Sequence, residues 1–102
     1  MKQDIYREFN QGWNQLFDEL LLEIEPYNVE VSQAKEKYAE LRVYVYPYIE
    51  EVERIIDSYT EKSKTICEWC GAEGSVKDIG GRWVKTLCQT CFDNWDNIKR
   101  GK

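Results

Sequence analysis

The sequence predicts an α+β fold in which two amphipathic helices and a short β element pack on a C-terminal module made of a cysteine knuckle, a hairpin and a helix. Three observations support this prediction. Two segments repeat apolar residues at three- and four-residue steps, one short run alternates β-branched with other side chains, and all four cysteines of the 102 residues stand in two CxxC pairs. We expect one packed unit, with residues 1–65 as a helical N-terminal part and residues 66–102 as the cysteine module.

The first helix is predicted from the stretch GWNQLFDELLLEIEP. Its apolar residues fall on one face of a helix: Trp13, Leu16, Phe17, Leu20, Leu21 and Ile24. Asn10 is a suitable N-terminal cap, and Pro26 ends the segment. Ile5 and Phe9 continue the same face backwards, so an earlier start is also open, although Gly12 weakens that continuation.

A short strand is predicted near residues 41–46, because apolar side chains alternate there with arginine and tyrosine in the run LRVYVY. The preceding SQAKEKYAE fits either a short helix or a strand that pairs with it. Pro47 suits the first turn of a second helix, which we expect to end around Ser63. The apolar stripe of this helix favours a place in the core: Ile49, Val52, Ile55, Ile56 and Tyr59.

The C-terminal part has turn residues Gly71 and Gly74 directly after the first cysteine pair. The stretch SVKDIGGRWVKTL then predicts a hairpin with Gly80-Gly81 at its turn. A short final helix is predicted from around the last cysteine pair, with its apolar positions at i, i+3 and i+6: Phe92, Trp95 and Ile98.

The cysteines follow the pattern Cys-x2-Cys-x17-Cys-x2-Cys and comprise Cys67, Cys70, Cys88 and Cys91. Two chelating pairs from distant segments are typical of a tetrahedral zinc site, so we expect one structural Zn²⁺ with these four ligands. Iron in the same four-thiolate set, two disulfides and a redox pair remain alternatives. Four sulfur ligands leave no open position for water, and the chain has no histidine to act as a general base.

Over roughly residues 66–100 the predicted elements are a knuckle, a hairpin and a helix that starts near the second cysteine pair. This order resembles a treble-clef zinc finger. Some treble clefs are nucleases, but these use a histidine in the hairpin, and this chain has none. The acidic pairs on the predicted helices point about 100° apart, which makes them poor catalytic dyads. We therefore expect no enzymatic activity and find no sign of a small-molecule substrate.

Charge is distributed unevenly along the chain. Residues 1–60 hold 13 acids and 6 bases, whereas residues 61–102 hold 6 acids and 8 bases. A strongly basic nucleic-acid footprint is absent, and the acidic part suits a basic protein partner. No apolar run is long enough to span a membrane, and the N-terminus lacks the apolar core of a signal peptide. We therefore expect a soluble protein in the cytoplasm.

Motifs spread over nearly the whole chain resemble a group of small, uncharacterised bacterial and prophage proteins. Their pattern is a Gly-Trp opening a helix, QxKEKxxxLRxY, a second helix, TCExCGxxG, and GxWxKTLCxxC or CxxH. The matching pieces here are Gly12-Trp13, residues 33–38, 41–44 and 66–71, Gly74, and Gly81 through Cys91. This chain departs at Ala39-Glu40, where the group often has a glycine turn, and at Cys91, where it often has histidine.

The resemblance carries no established activity, but it implies mobile-element ancestry, and small proteins of that origin frequently act on host proteins. We therefore expect a zinc-stabilised protein-binding module, a phage-derived inhibitor or modulator of a host bacterial protein complex such as a defence system, located in the cytoplasm of the bacterial host cell. Trp69, Trp83, Arg82 and Lys85 are the candidate partner-binding residues, because large aromatic side chains are good interface anchors. Packing of the two tryptophans over the zinc and the hairpin is the alternative.

Two alternatives remain. The finger could bind nucleic acid through basic residues that cluster around it in sequence: Lys77, Arg82, Lys85, Lys99, Arg100 and Lys102. The chain could also be a structural component of an assembly or a homo-oligomer. Binding that falls steeply with salt would distinguish the first alternative from a protein-binding module, and sedimentation would reveal the second.

Overall fold

The computed structural model describes residues 5–100, with side chains up to Ile98. The chain mixes helices and strands throughout. In chain order the elements are β1 (Arg7–Glu8), a 3₁₀ turn (Gln11–Trp13), α1 (Asn14–Ile24), a second 3₁₀ turn (Glu25–Tyr27), β2 (Glu30–Lys37), β3 (Glu40–Tyr46), α2 (Glu50–Ser63), β4 (Ser75–Gly80), β5 (Trp83–Leu87), α3 (Gln89–Asp93) and α4 (Trp95–Arg100). Within the described range, no helix is both long and apolar enough to cross a membrane.

The β element of the N-terminal part is larger than expected. β1, β2 and β3 form one sheet in that order, with β1 parallel and β3 antiparallel to β2. The segment SQAKEKYAE, for which a helix and a strand were both open, forms most of β2 and the turn to β3. A β-bulge between Val31 and Gln33 shifts the register of β2 against β3. The apolar residues of β2 therefore do not follow a strict two-residue alternation along the sequence.

The proposed backward extension of the first helix is wrong. Ile5 and Phe9 lie in an extended segment around β1, and α1 begins only at Asn14. Phe9 nevertheless reaches the core, because its ring lies 6.0 Å from that of Trp13 and 5.4 Å from that of Phe17. An apolar contact that suits helical spacing is here made by a residue that directly follows a strand.

The expected start of the second helix at Pro47 is also wrong, whereas its end at Ser63 is confirmed. Pro47 follows a cis peptide bond with Tyr46, and α2 begins at Glu50 after an extended Ile49. The first turn of α2 carries Glu50, Glu51 and Glu53, whose charges favour a helix N-terminus.

The main core lies between the inner face of the three-stranded sheet and the helices α1 and α2. Its fully buried members include Trp13, Phe17, Leu20, Leu41 and Val52. The helical faces predicted from the sequence point into this core. Truncating one of its large side chains would cost about 3–5 kcal/mol.

The C-terminal hairpin and helix differ in detail from the prediction. β4 and β5 are joined by Gly81 and Arg82, so the turn lies one residue later than expected, and Gly80, Gly81 and Arg82 all have positive φ. The final helix is divided in two at Asn94. Residues of α3 and α4 pack with β5 on a second, smaller core around Cys67, Leu87 and Cys91.

Candidate metal centre

The four cysteine sulfurs converge on one point. All four Sγ atoms lie within 4.8 Å of one another, and those of Cys70 and Cys88 are 3.6 Å apart. Four sulfurs held about 2.3 Å from one ion in a tetrahedron stand about 3.8 Å apart, which matches this spacing. A disulfide needs sulfurs about 2 Å apart, and all four cysteines are free thiols. The donor set and its geometry therefore fit a sulfur-preferring metal ion such as zinc.

The first pair of ligands is positioned by a tight backbone loop after α2. The Cys67 amide donates to the Ala72 carbonyl at 2.7 Å, and the Gly71 amide donates to the Cys67 carbonyl at 2.9 Å. Gly71 has a φ of 86°, a conformation that glycine adopts without a steric penalty. The Cys70 amide also donates to the Cys67 sulfur at 3.4 Å, so the loop curves around this sulfur.

The second pair comes from the start of α3. Cys88 is the N-cap of this helix, and its sulfur accepts the Cys91 amide at 3.4 Å, the same local bond as in the first pair. A backbone bond of 2.9 Å from Glu68 to Thr86 fixes the first loop against β5, which leads directly into Cys88. The hairpin thereby brings together two CxxC segments that are distant in the sequence.

The electrostatics of the cluster favour a cation. Burial raises the pKa of Cys67, but backbone amides of Cys70, Cys88 and Trp69 donate to its sulfur and lower the pKa to about 7. Burial raises the pKa of Cys91, and hydrogen bonds with the neighbouring thiols add to this rise. Four thiolates so close together repel one another unless a divalent ion compensates their charge, and a bound metal deprotonates its thiol ligands outright.

The first cysteine loop also docks on the N-terminal part. The Gly12 amide donates to the Glu68 carbonyl at 2.7 Å, and Gln11 Nε2 donates to the Trp69 carbonyl at 2.7 Å. Trp13 Nε1 donates to the Ile66 carbonyl at 2.8 Å. A Cβ on Gly12 would lie 2.2 Å from the Cys67 carbonyl oxygen, so only glycine permits this approach.

A buried ionic network reinforces this junction. The carboxylate of Glu68, 1% exposed, accepts bonds from the Asn10 amide at 3.2 Å and from Lys85 Nζ at 3.1 Å. Lys85 also pairs with Glu36 of β2 at 3.3 Å. Burial raises the pKa of Glu68, while the charge and the hydrogen bond of Lys85 oppose that rise. The network joins the cysteine loop, the hairpin, the sheet and the N-terminal segment.

The four candidate partner-binding residues lie in different environments. Trp83 is 69% exposed at the start of β5, and Arg82 is exposed beside it in the turn. Trp69 is half-buried and packs on the second core. Lys85 is largely buried and engaged by two carboxylates, which removes it from any phosphate-binding surface. Of the other basic residues around the finger, Lys77 stacks on Phe92, whereas Lys102 and the side chains of Lys99 and Arg100 lie outside the described part of the chain.

An exposed aromatic surface on the three-stranded sheet, away from Trp69 and Trp83, was not predicted from the sequence. Among residues 5–100, no helix lies on the outer face of the three-stranded sheet, opposite the core. On β3 this face presents Tyr44, 41% exposed, and Tyr46, 73% exposed. Tyr6, just before β1, is 80% exposed. The strict alternation in LRVYVY was the available signal, because it places both tyrosines on the face opposite the buried Leu41 and Val43.

Comparison of this chain with family models, with curated proteins and with solved structures gives no match. What the fold and the site define is a class: a small protein of mixed helices and strands whose four cysteines are placed to hold one metal ion.

Proposed function

We propose that this protein is a zinc-stabilised protein-binding module. Zn²⁺ suits four thiolates in two CxxC pairs, and the order of knuckle, hairpin and helix supports a treble-clef finger over residues 66–100. Such a closed site is structural and contributes on the order of 10 kcal/mol to folding. With every ligand position taken by sulfur, the metal has no place for a substrate or an activated water.

The observation that carries the binding role is the pair of exposed tyrosines on the outer sheet face, Tyr44 and Tyr46, together with the exposed Tyr6 just before β1. Tyr6, Tyr44 and Tyr46 are large, rigid and amphipathic side chains, which are enriched at protein interfaces. Trp83 adds an exposed indole on the finger. The chain's overall charge of −5 favours a protein partner over nucleic acid. A phage-derived inhibitor or modulator of a host bacterial complex is the form of this function that the sequence resemblance supports.

The test is a capture experiment with zinc-loaded protein in bacterial lysate, run with and without nuclease. We expect one stoichiometric protein partner that survives nuclease and is lost with the double variant Tyr44→Ser/Tyr46→Ser. Tyr38→Ser is the matched control, because Tyr38 is 70% exposed but lies in the turn between β2 and β3. A bound fraction that disappears with nuclease would instead support the nucleic-acid alternative.

A further inference from the structure

The outer edge of β3 borders an acidic groove. In the sheet order β1-β2-β3, this strand pairs with β2 on one side only. α2 packs beside the other side, and a groove of about 500 Å³ lies between the helix and the strand. The groove is lined by residues of both elements, including Arg42, Val43, Glu53 and Asp57.

At one residue of this edge, Leu41, the backbone amide and carbonyl form hydrogen bonds with side chains of α2. The Leu41 amide donates to Ser63 Oγ at 2.9 Å, and its carbonyl accepts from Thr60 Oγ1 at 2.9 Å. Alternate residues of a strand direct their amide and carbonyl groups to the same side, so those of Val43 and Val45 also point to the outer edge. Among residues 5–100, these groups have no hydrogen-bond partner on that side. Two residues of β3 therefore present the donors and acceptors that an added strand would use.

The charge of the groove indicates what kind of strand fits. Four acids line it: Glu40, Glu53, Asp57 and Glu61. Arg42 and Lys64 compensate Glu40, and Lys64 also pairs with Glu61, so the uncompensated charge of the groove is that of Glu53 and Asp57. Glu53 and Asp57 stand at positions i and i+4 of α2, a spacing at which like charges destabilise a helix. Neither has an ion-pair partner within the described side chains. Their repulsion is relieved if a cation enters the groove.

On the basis of the proposed protein-binding function, we propose that the β3 edge at Val43 and Val45 binds an extended, basic peptide segment of the partner protein. The segment adds a fourth strand to the sheet by main-chain hydrogen bonds, and its alternate side chains set the specificity. Lysine or arginine at every second position faces Glu53 and Asp57 in the groove. The intervening side chains lie on the outer face beside Tyr44 and Tyr46.

A second copy of this chain is a poorer occupant of the edge. Pairing of β3 with the β3 of another copy would bring two grooves of the same net negative charge together, and like-charge juxtaposition opposes such pairing. A basic segment instead compensates the charge of the groove.

The first test uses three blocked peptides of seven residues on zinc-loaded protein. One alternates lysine with threonine, one alternates glutamate with threonine, and one is the lysine peptide N-methylated at the amides that would pair with β3. We expect the lysine peptide alone to bind and to slow hydrogen exchange at the Val43 and Val45 amides. Its affinity should fall as salt rises, because the groove contacts are partly exposed ion pairs.

A charge-neutralising variant tests the role of the groove. Glu53→Gln/Asp57→Asn should bind the lysine peptide about tenfold more weakly, since two rim ion pairs are lost. Glu25→Gln/Glu51→Gln removes the same charge from exposed positions outside the groove and should leave the affinity unchanged.

Three outcomes would overturn the inference: equal binding of the N-methylated peptide, no protection of Val43 and Val45 by the lysine peptide, or protection of both amides by self-association without any peptide. Failure here is distinguishable from failure of the proposed function. Capture of a nuclease-resistant partner that depends on Tyr44 and Tyr46, with no protection at the β3 edge, would keep the binding module and reject the edge as its site.

Discussion

Gly12→Ala tests how closely the N-terminal part must approach the cysteine loop. The added Cβ would lie 2.2 Å from the Cys67 carbonyl oxygen and 2.4 Å from that of Glu68, well inside the 3.0 Å limit of real Cβ contacts. Both atoms belong to the backbone of the first cysteine loop, so neither can swing aside as a flexible side chain would. The two segments must therefore separate.

The cost of that separation follows from the bonds that cross the junction. The Gly12–Glu68 and Gln11–Trp69 bonds contribute about 1 kcal/mol each, and the bond from Asn10 to the buried Glu68 carboxylate contributes about 2 kcal/mol. Alanine also lowers the conformational entropy of the unfolded chain, which returns about 0.5–1 kcal/mol of folding stability. The net loss is about 3 kcal/mol, which corresponds to about 15 °C in Tm for a domain of this size.

Thermal and urea unfolding of the zinc-loaded variant measure this loss. Gln11→Ala is the control, because it removes one exposed hydrogen bond of the same junction and should cost about 1 kcal/mol. Gly12→Ala should still bind one metal ion per chain, since all four ligands lie within residues 67–91. A variant as stable as the wild type would refute the close approach.

Three further predictions concern other parts of the chain. Cys67→Ser should lose the metal and the cooperative unfolding of the C-terminal part, and full metal occupancy with an unchanged transition would contradict the ligand assignment. The hydrogen bond of Tyr59 to Glu23, followed by burial, raises the pKa of Tyr59 to about 12 from its ordinary value of about 10. The neutral phenol is thus favoured in the folded state, so its stability contribution is complete below about pH 10 and is lost between about pH 10 and 12. Tyr59→Phe should flatten the pH dependence of the unfolding free energy in that window, and an unaltered profile would argue against this assignment. Tyr38→Asn should raise stability by about 0.5–1 kcal/mol, because Tyr38 holds a left-handed φ of 53° in an exposed turn and asparagine tolerates it better; a lower Tm would show that the tyrosine ring matters more than the backbone.

The convergence of the four cysteines could be predicted from the sequence, because CxxC spacing acts through local geometry. Two residues between cysteines allow both sulfurs of a pair to face one ion, whatever the rest of the chain does. The end of α2 at Ser63 and the buried face of α1 could also be predicted, since both follow helical periodicity. Trp13 and Phe17 lie in the core as that periodicity indicates.

The sheet was harder to predict because tertiary contacts override its local signals. Ile5 and Phe9 fit a helical spacing, yet they flank the short strand β1 and pack on the main core from there. The bulge between Val31 and Gln33 disrupts the alternation of β2. The turn from β2 to β3 contains Tyr38 and Ala39 at positive φ. Glycine or asparagine at these positions would have indicated a turn, whereas tyrosine and alanine do not.

The junction around Glu68 was not predictable from sequence periodicity either. A glutamate between two cysteines gives no sign that Asn10, Lys85 and the backbone of Gly12 will surround it from three other segments. The one local signal was Gly12 itself, a glycine that weakens the start of an otherwise regular helical pattern. Its role is now clear, because its missing side chain admits the cysteine loop.

The most direct test of the central claim is the stoichiometry and absorption of the protein loaded with Co²⁺. A closed four-thiolate site predicts one metal ion per chain, the strong visible absorption of tetrahedral cobalt with sulfur ligands, and four thiols protected from alkylation. Weak absorption of a six-coordinate ion, or free alkylation of any of the four cysteines in the loaded protein, would contradict a structural metal centre.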